Sequence, residues 1–407
     1  MNTPGQPSRV LSGMRPTGPL HLGHYHGVIK PWVEMQHVYD CYYFVADWHA
    51  LTTNFDDVSE HAMRDNVLDM VVDWLASGVD PELATIFIQS KVPEHAELYL
   101  LLSMISPLGW LERVPSFKDQ QEKLKNKDLS THGFLGYPVL QSADILMYRA
   151  SLVPVGQDQI PHVELTRELA RRFNSIFGKE EGFEDKAEKA IAKLGKRNAA
   201  KYRRLRIAYT ERGDPEALQS AKEFLTSMPN LSRGDRERLT GYLEGSGRQI
   251  LVEPDHYVTE ASKVPGTDGQ KMSKSYGNAI FLRDDPDRIT KLIRSMPTDP
   301  ARIRRNDPGD PEKCPVWDLH KIYSDEAQKK WVCHGCTTAE IGCLDCKEPL
   351  IGHVLDEQAQ HIERARPYIE DKTYLTKVIA DGCERAGAVA EETMKDVRHY
   401  VGTGSSR

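Results

Sequence analysis

The sequence predicts an α/β protein, a doubly wound parallel sheet followed by an α-helical C-terminal region. Over about the first hundred residues, short apolar runs of strand length alternate with segments whose apolar residues recur at helical spacing. From about residue 286 onward the pattern is helical, with few strand signals. The alternation is typical of a parallel sheet, in which helices connect successive strands.

Taken in order, the first strand ends at Leu11, and a turn rich in glycine and proline leads into a helix over residues 19–36. The apolar run 41–46 predicts a buried strand, followed by polar residues that include His49. Open α/β sheets hold ligands at this edge. The pattern then predicts a helix over 59–77, a strand over 85–88, a helix over 137–148, a short strand from 152, and a helix over 162–173.

One face of the helix predicted over residues 137–148 carries an amide, a carboxylate and two phenols at intervals of four, three and four residues. These residues are Tyr137, Gln141, Asp144 and Tyr148. An isolated polar stripe is more often a solvated surface than a pocket. A binding role therefore depends on partners elsewhere in the sequence.

The composition is that of an ordinary globular protein, with 407 residues, 39% hydrophobic residues and a net charge of -7. The acidic total argues against binding to nucleic acid by bulk charge, although it leaves room for a local basic patch. The sequence has no apolar run near the length of a membrane span and no apolar core of a signal peptide. We therefore expect a cytoplasmic protein without a membrane partner.

The segment 179–248 differs from its surroundings by its dense charge. It holds 16 Lys and Arg against 12 Asp and Glu, a net charge of +4. We interpret it as a mostly helical insertion between elements of the sheet. Its basicity could serve contact with RNA, but a surface helical hairpin without a chemical role is the simpler interpretation.

Two short motifs carry groups suited to a nucleotide. In His21-Leu22-Gly23-His24, two imidazoles at i and i+3 share a helix face and can donate to phosphate oxygens, and Gly23 leaves room for a flat base. A metal pair would need a further ligand that the adjacent sequence lacks. The loop 265–277, which we expect to be exposed, contains Lys271-Met272-Ser273-Lys274-Ser275. Its ammonium groups suit a polyphosphate, although alone it reads as a solvated loop.

The pairing of these motifs resembles the HIGH and KMSKS signatures of class I aminoacyl-tRNA synthetases. Longer strings resemble the bacterial tryptophanyl-tRNA synthetases, over nearly everything except residues 179–248. They are SGMRPTGPLHLGH, FVADWHALTT, YPVLQSADIL, VPVGQDQ, ELTRELARRFN and PGTDGQKMSKSYGN. The resemblance implies a tryptophan–tRNA ligase, which uses ATP and Mg²⁺ to form tryptophanyl-adenylate and transfers the tryptophanyl group to tRNA(Trp) in translation. It also implies a homodimer.

The same resemblance implies four parts and three sets of site residues. The parts are a Rossmann-like catalytic domain over 1–178, the insertion over 179–249, the closing part of the catalytic domain over 250–285, and an α-helical anticodon-binding domain over 286–407. The catalytic set would be Lys271, Lys274, His21, His24 and Lys118. The ATP-binding set would be Arg15, Pro16, Thr17, Gly23, His24, Gly156, Gln157, Asp158, Lys271, Met272, Ser273, Lys274 and Ser275. The tryptophan-binding set would be Asp144, Tyr137, Gln141, His49, Val153, Val155 and Gln159.

The sequence departs from the family pattern at three places. Many members have Gln where Arg15 stands and Asn where His24 stands. The second lysine expected after Lys118 is Gln120, so that Lys123 or Lys125 would have to replace it.

Five of the seven cysteines crowd into one segment, which in a reducing compartment indicates metal binding before disulfides. Cys336, Cys343 and Cys346, with Cys314 upstream, resemble the four-cysteine motif of tryptophanyl synthetases that hold a 4Fe–4S cluster. Zinc and unligated thiols remain alternatives, because spacing does not choose between them. Cys333 is the rival of Cys314 as the fourth ligand.

Two other functions stay open at this point. A tyrosyl-tRNA synthetase can carry Tyr, Gln and Asp at the same offsets, and a phenol would also donate to Asp144. A non-catalytic paralogue could bind RNA through its C-terminal helices, but pure binding does not require Lys271, Lys274, His21 and His24 together.

Overall fold

The computed structural model describes residues 8–55, 62–114, 131–212, 214–245, 247–258 and 264–404. Five parallel strands form one sheet. They are β1 (Arg9–Met14), β2 (Asp40–Val45), β3 (Ala84–Ile88), β4 (Leu152–Val155) and β5 (Asp255–Val258). Their order in space is β3-β2-β1-β4-β5, which reverses direction between β1 and β4. The predicted doubly wound parallel sheet is confirmed, and ligands bind such sheets at the point of reversal.

Helices connect and follow the strands. Between β1 and β4 they are α1 (Leu22–His24), a π-helix (Tyr25–Ile29), α2 (Lys30–Met35), α3 (Asp47–Asn54), α4 (Ala62–Ala76), α5 (Glu94–Ile105), α6 (Leu108–Leu111), α7 (His132–Leu135) and α8 (Tyr137–Met147). Between β4 and β5 they are α9 (Ile160–Phe177), α10 (Phe183–Lys193), α11 (Lys196–Arg212), α12 (Pro215–Thr226) and α13 (Arg233–Glu244). After β5 they are α14 (Pro286–Ser295), α15 (Pro315–Tyr323), α16 (Glu326–Thr337), α17 (Cys343–Glu370) and α18 (Lys372–Val401). No helix in the described ranges is long and apolar enough to cross a membrane.

Both faces of the sheet are buried, so the central strands read as continuous apolar runs. Tyr43 and Ile86 point to one face, which packs against α2, α4 and the C-terminal helices α14, α15 and α17. Phe44 and Phe87 point to the other face, against α5, α8, α9 and α18. The helices that follow β5 therefore belong to the same packed body as the sheet.

Helix α18 lies directly on β3. A Cβ atom built on Gly382 would stand only 1.7 Å from the carbonyl oxygen of Ile86. Since no side chain fits in that space, glycine permits the close approach of helix and strand.

Helices α10 to α13 enclose a separate apolar cluster. Its fully buried members include Ala221, Leu225, Leu239 and Tyr202. The Tyr202 hydroxyl donates to the Leu239 carbonyl at 2.6 Å.

Three features differ from the sequence predictions. Strand β5 was not predicted, because its DHYV sequence is exposed at the sheet edge and lacks an apolar run. Within the C-terminal region predicted to be helical, the sequence pattern indicates one helix over 315–334, whereas the structure has two, since the Asp325 side chain accepts from the Gln328 N–H and begins a new helix. The helix predicted over 19–36 contains the π-helix, a form frequent at functional sites. The start of the predicted 59–77 helix, residues 59–61, lies outside the described residues.

Candidate active site

Two segments distant in sequence meet at the C-terminal end of β1. The histidine segment (residues 21–24) follows β1, and the lysine loop (residues 264–278) follows β5. The backbone just after that loop joins the histidine segment, since the Leu22 N–H donates to the Ile280 carbonyl at 3.0 Å and the Leu282 N–H to the Leu20 carbonyl at 2.9 Å. The two motifs singled out in the sequence therefore lie side by side.

Lys274 bridges the two segments. Its Nζ donates to the Gly18 carbonyl at 2.7 Å, and Gly18 has the left-handed φ of +104°. Burial and the positive charge of Arg15 lower the pKa of Lys274 to about 8, while Asp73 opposes the shift. The mutual repulsion of these two cations favours a negatively charged ligand beside them.

The two histidine rings stack with centroids 3.7 Å apart. Burial, then the charge of Lys274, lowers the pKa of His21 to about 4. Burial also lowers the pKa of His24 well below its usual value, and His21 and Lys274 add to the shift. Both imidazoles are thus neutral at pH 7. Because His24 Nδ1 accepts the His21 N–H at 3.2 Å, its proton sits on Nε2, where it can be donated to a ligand.

Asn278 shapes the lysine loop. Its Oδ1 accepts the Ser273 N–H at 2.7 Å, and its Nδ2 donates to Asp268 Oδ1 at 2.7 Å and to the Lys271 carbonyl at 3.2 Å. The sequence analysis did not single out Asn278, although an asparagine beside a turn with several glycines is a recognisable signal, because its amide can bond to nearby backbone.

The loop is docked rather than free. Lys271 is exposed as predicted, but Met272 is buried. A Cβ on Gly23 would lie 3.6 Å from the Met272 Cβ. The prediction of an exposed loop is therefore wrong for Met272, because this apolar side chain anchors the loop beside the histidine segment. The side chain of Ser275 lies outside the described part of the chain.

The end of β4 supplies the opposite side of the crevice. A Cβ on Gly156 would stand 2.9 Å from Asp158 Oδ1, so the backbone passes close to that carboxylate. Burial would raise the pKa of Asp158, but a 3.0 Å hydrogen bond from Gln159 and the charge of Lys271 lower it. Gln157 is exposed beside them. Residues after β1, β4 and β5 thus converge at the point where the strand order reverses.

Asp144 of α8 is fully buried and held by three side chains. His49 Nε2 lies 2.6 Å from Oδ2, His95 Nδ1 lies 2.6 Å from Oδ1, and Gln89 Nε2 donates to both oxygens at 2.9 and 3.1 Å. Burial would raise the pKa of Asp144, yet His49 and His95 lower it below its usual value. The carboxylate is therefore ionised at the bottom of the site.

Sequence reasoning missed Gln89 and His95. Gln89 follows β3 directly, so the rule that polar residues gather at the carboxyl ends of parallel strands could have found it. His95 also binds the Tyr148 hydroxyl, with 2.6 Å between Nε2 and Oη. Tyr148 lies on the same side as Asp144, since His95 contacts both, although it follows the last residue of α8, Met147, and is fully buried.

Aromatic rings and unpaired polar atoms adjoin Asp144. His49 and Tyr137 make an edge contact at 4.7 Å between centroids, and Tyr137 and His162 lie 6.0 Å apart. Within the described residues, Gln141 Oε1 and His49 Nδ1 are buried without a hydrogen-bond partner. Buried polar atoms are rarely left unpaired, which indicates a ligand or water there. Val153 and Val155 are buried on β4.

Arg15 connects the two halves of the crevice. Burial raises the pKa of Tyr137, the charge of Arg15 counters the shift, and Asp144 adds to it. Arg15 also repels Lys274. Pro16 is buried behind it, and the Thr17 N–H closes a turn on the Arg15 carbonyl at 2.8 Å. Lys118, with Gln120, Lys123 and Lys125, lies outside the described residues.

The cysteine cluster (Cys314, Cys336, Cys343 and Cys346) lies where three helices meet. Cys314 precedes α15, Cys336 lies on α16, and the other two occupy the first turn of α17. Burial, then the other three thiols, raises the pKa of Cys346 to about 12. Among the described residues, however, no group of three or more Cys, His, Asp or Glu side chains has the arrangement to hold a metal ion.

A model of the family described as "tRNA synthetases class I (W and Y)" matches residues 3–190 and 238–354. The chain belongs to this family. The unmatched residues between the two ranges fall within helices α11 and α12 and the ends of their neighbours, in the segment interpreted as an insertion.

Individual class I synthetases match over nearly the whole chain. A tryptophan–tRNA ligase of Ralstonia nicotianae is 61% identical, covering 97% of this chain and 98% of that protein. One of Thermotoga maritima is 43% identical with the same coverage. A crystal structure of the tryptophanyl-tRNA synthetase of Campylobacter jejuni, complexed with ADP and tryptophan, superposes with a TM-score of 0.70 at 28% identity, covering 97% of this chain and 99% of that one.

Proposed function

We propose that this class I synthetase is a tryptophan–tRNA ligase, which activates L-tryptophan with ATP and transfers it to tRNA(Trp) in the cytoplasm. One observation carries the choice of amino acid. A fully buried, ionised Asp144 lies beside aromatic rings and unpaired polar atoms, next to the crevice that holds Lys274. The tryptophan–tRNA ligases similar to this chain over its whole length support the same choice.

Asp144 would accept the indole N–H of tryptophan. A carboxylate offers about four acceptor positions, and His49, His95 and Gln89 together make four contacts with it, so the indole N–H would take the place of one of the two Gln89 contacts. Indole has a single donor, so a buried acceptor at fixed depth separates it from phenylalanine. Tyr137, Gln141 and Gln159 with the two valines of β4 would complete this pocket.

ATP would bind across the reversal point of the sheet. Gly23 would admit the base, while His24 and the turn at Arg15 to Thr17 would contact the phosphates. Lys271 and Lys274 would face the triphosphate with its Mg²⁺, together with Ser273 and Ser275 of the lysine loop, and Gly156 to Asp158 would close the opposite side. The tryptophan carboxylate then attacks the α-phosphorus and pyrophosphate leaves, so that the lysines stabilise charge on the leaving group.

Amino-acid-dependent exchange of pyrophosphate into ATP tests this function. We expect exchange with tryptophan and at least a hundredfold less with tyrosine. Exchange that tyrosine stimulates and tryptophan does not would identify a tyrosyl enzyme. A fully folded protein without exchange for any amino acid would identify a non-catalytic paralogue.

We further infer that the cysteine cluster holds a 4Fe–4S group in the anticodon-binding part. The support is chemical, since the other three thiols raise the pKa of Cys346, and the backbone N–H groups of Val316 and Trp317 act on Cys314 to lower its pKa, as they would to stabilise a thiolate. Arg302 lies 3.8 Å from the Cys336 sulfur. Such a group would cross-link α15, α16 and α17. Cys314 is among the thiols whose charges raise the pKa of Cys346, which favours Cys314 as the fourth ligand.

Anaerobic purification distinguishes the possible occupants. An iron–sulfur protein should be brown, contain about four iron atoms per chain, and lose its colour on Cys343→Ser but keep it on Cys333→Ser. A colourless protein with one zinc per chain would rule out the iron–sulfur group.

We propose a homodimer as well. Leu100 and Met104 of α5 and Leu108 of α6 are 53%, 70% and 64% exposed, and exposed apolar patches of this kind mark contact surfaces. Replacement of Met104 by Glu should convert a dimer of about twice the chain mass into a monomer. A monomeric unaltered protein would contradict the proposal.

A further inference from the structure

One turn of helix α17 contacts the residues that follow the histidine segment and those that follow the lysine loop. Glu357, Gln358 and His361 project from the same face of the helix, toward the π-helix, the backbone after the lysine loop, and α4 respectively. They surround a narrow pocket with Leu22, Tyr25 and Leu282. None of the three belongs to the residues proposed to touch ATP or tryptophan.

Glu357 is tied to the helix that continues the histidine segment. His26 of the π-helix places Nε2 3.1 Å from Glu357 Oε1 and 2.8 Å from the Tyr323 hydroxyl oxygen. The Tyr323 hydroxyl donates to the same carboxylate oxygen at 2.8 Å. His26 stands only two residues after His24. The contact among His26, Tyr323 and Glu357 therefore fixes the helix turn that carries His21 and His24.

Gln358 is tied to the backbone just after the lysine loop. Its side-chain amide donates to the carbonyls of Asp284 at 2.8 Å and Phe281 at 3.3 Å. These carbonyls lie in the segment that pairs with the histidine segment, since Leu282 donates to the Leu20 carbonyl.

His361 contacts the third element, helix α4. Its Nε2 lies 3.1 Å from Asp73 Oδ1, and the same oxygen accepts from Arg283 Nε at 2.9 Å. Asp73 is also the group whose charge raises the pKa of Lys274. Neighbouring residues of one helix thus contact the side chain of His26, just after the histidine segment, and the backbone just after the lysine loop.

We propose that Glu357 and Gln358 are positioning residues for ATP, which set the distance between the histidine segment and the lysine loop. The inference rests on the proposed function, and it adds two residues outside both motifs. Positioning errors of about 1 Å can cost a hundredfold in rate, so the loss of one such contact should be visible in kinetics while folding survives. Because α17 begins at Cys343, the same helix also extends from the cysteine cluster to the crevice.

The helix offers matched controls for the test. Asp356 and Gln360 are exposed neighbours of the two positioning residues on the same helix. Glu357→Gln is compared with Asp356→Asn, and Gln358→Ala with Gln360→Ala, by tryptophan-dependent pyrophosphate exchange in the full-length protein. Concentrations are normalised to active sites, so that misfolded protein does not count.

We expect Glu357→Gln and Gln358→Ala to raise KM for ATP or lower kcat, changing kcat/KM for ATP about tenfold, with KM for tryptophan within twofold. The controls should match the unaltered protein. Tyr323→Phe removes only one hydroxyl and should give a smaller change in the same direction, which covers the case that a larger change prevents folding.

Kinetics of both variants equal to their controls would overturn the inference and leave the proposed function intact. Equal loss of ATP and tryptophan affinity would also overturn it, because that pattern indicates general damage. Absence of exchange in the unaltered protein would overturn the proposed function, and this inference with it.

Discussion

His49 Nε2 stands 2.6 Å from Oδ2 of Asp144, and both side chains are buried. This contact connects α3, which follows β2, to α8. A residue just after a strand, on the opposite side of the pocket, therefore orients the carboxylate. The orientation matters because a buried acceptor can select a ligand only if it cannot turn away from it.

Replacing Asp144 by Ala should raise KM for tryptophan at least a hundredfold and change KM for ATP less than fivefold, since the loss leaves His49, His95 and Gln89 facing a cavity. Pyrophosphate exchange at varied tryptophan and ATP measures both constants. Tyr148→Phe, which alters only the group behind His95, should change neither more than fivefold. Equal loss for the two substrates in Asp144→Ala would contradict the assigned role.

The pKa of about 8 at Lys274 makes ATP binding depend on pH. Protonated Lys274 attracts the triphosphate, and this attraction is present below pH 8 and lost as pH rises through it, by up to about tenfold per pH unit. KM for ATP should therefore increase between pH 7.5 and 9. In Lys274→Arg the guanidinium stays charged, so KM for ATP should change little with pH over this range, even if the rate falls. The same rise in the arginine variant would assign the titration to another group.

The family pattern has Asn where His24 stands, which offers a matched pair of variants. An Asn side chain can accept the His21 N–H and still donate outward, as neutral His24 does, whereas Ala can do neither. His24→Asn should retain kcat/KM for ATP within about tenfold, and His24→Ala should lose about a hundredfold. Pyrophosphate exchange measures kcat/KM for ATP in both variants. Equal losses in the two would show that the imidazole acts by its shape and not by its hydrogen bonds.

Gly382→Ala should destabilise the protein by about 3 kcal/mol or more, because the added methyl group would overlap the Ile86 carbonyl. Gly387 lies on the same helix with open space around it. Gly387→Ala should be stabilising by roughly 0.5–1 kcal/mol. Denaturant unfolding of the two variants gives the comparison, and similar stability for both would mean that α18 does not sit this close to β3.

The sequence patterns that predicted the fold were those with a large apolar component. β1, β2 and β3 could be predicted because buried strands are written as runs of apolar residues. The two nucleotide motifs could be predicted because their histidines and lysines form distinctive short strings. β5 could not be predicted, since an exposed edge strand pairs with its neighbour through the backbone and needs no apolar side chains.

The contacts that tune the site arise between distant residues and leave no local pattern. Gln89 and His95 reach Asp144 across about fifty residues, and Glu357 reaches His26 across more than three hundred. Only the fold brings such pairs together.

The placement of α18 on β3 has a consequence for synthesis on the ribosome. The whole stretch from 89 to 371 is translated between the strand and the helix that covers it. At ordinary elongation rates this takes about 15 to 60 s. During that interval β3 lacks the helix that covers it, so its apolar side chains either stay exposed to water or become buried only after α18 emerges.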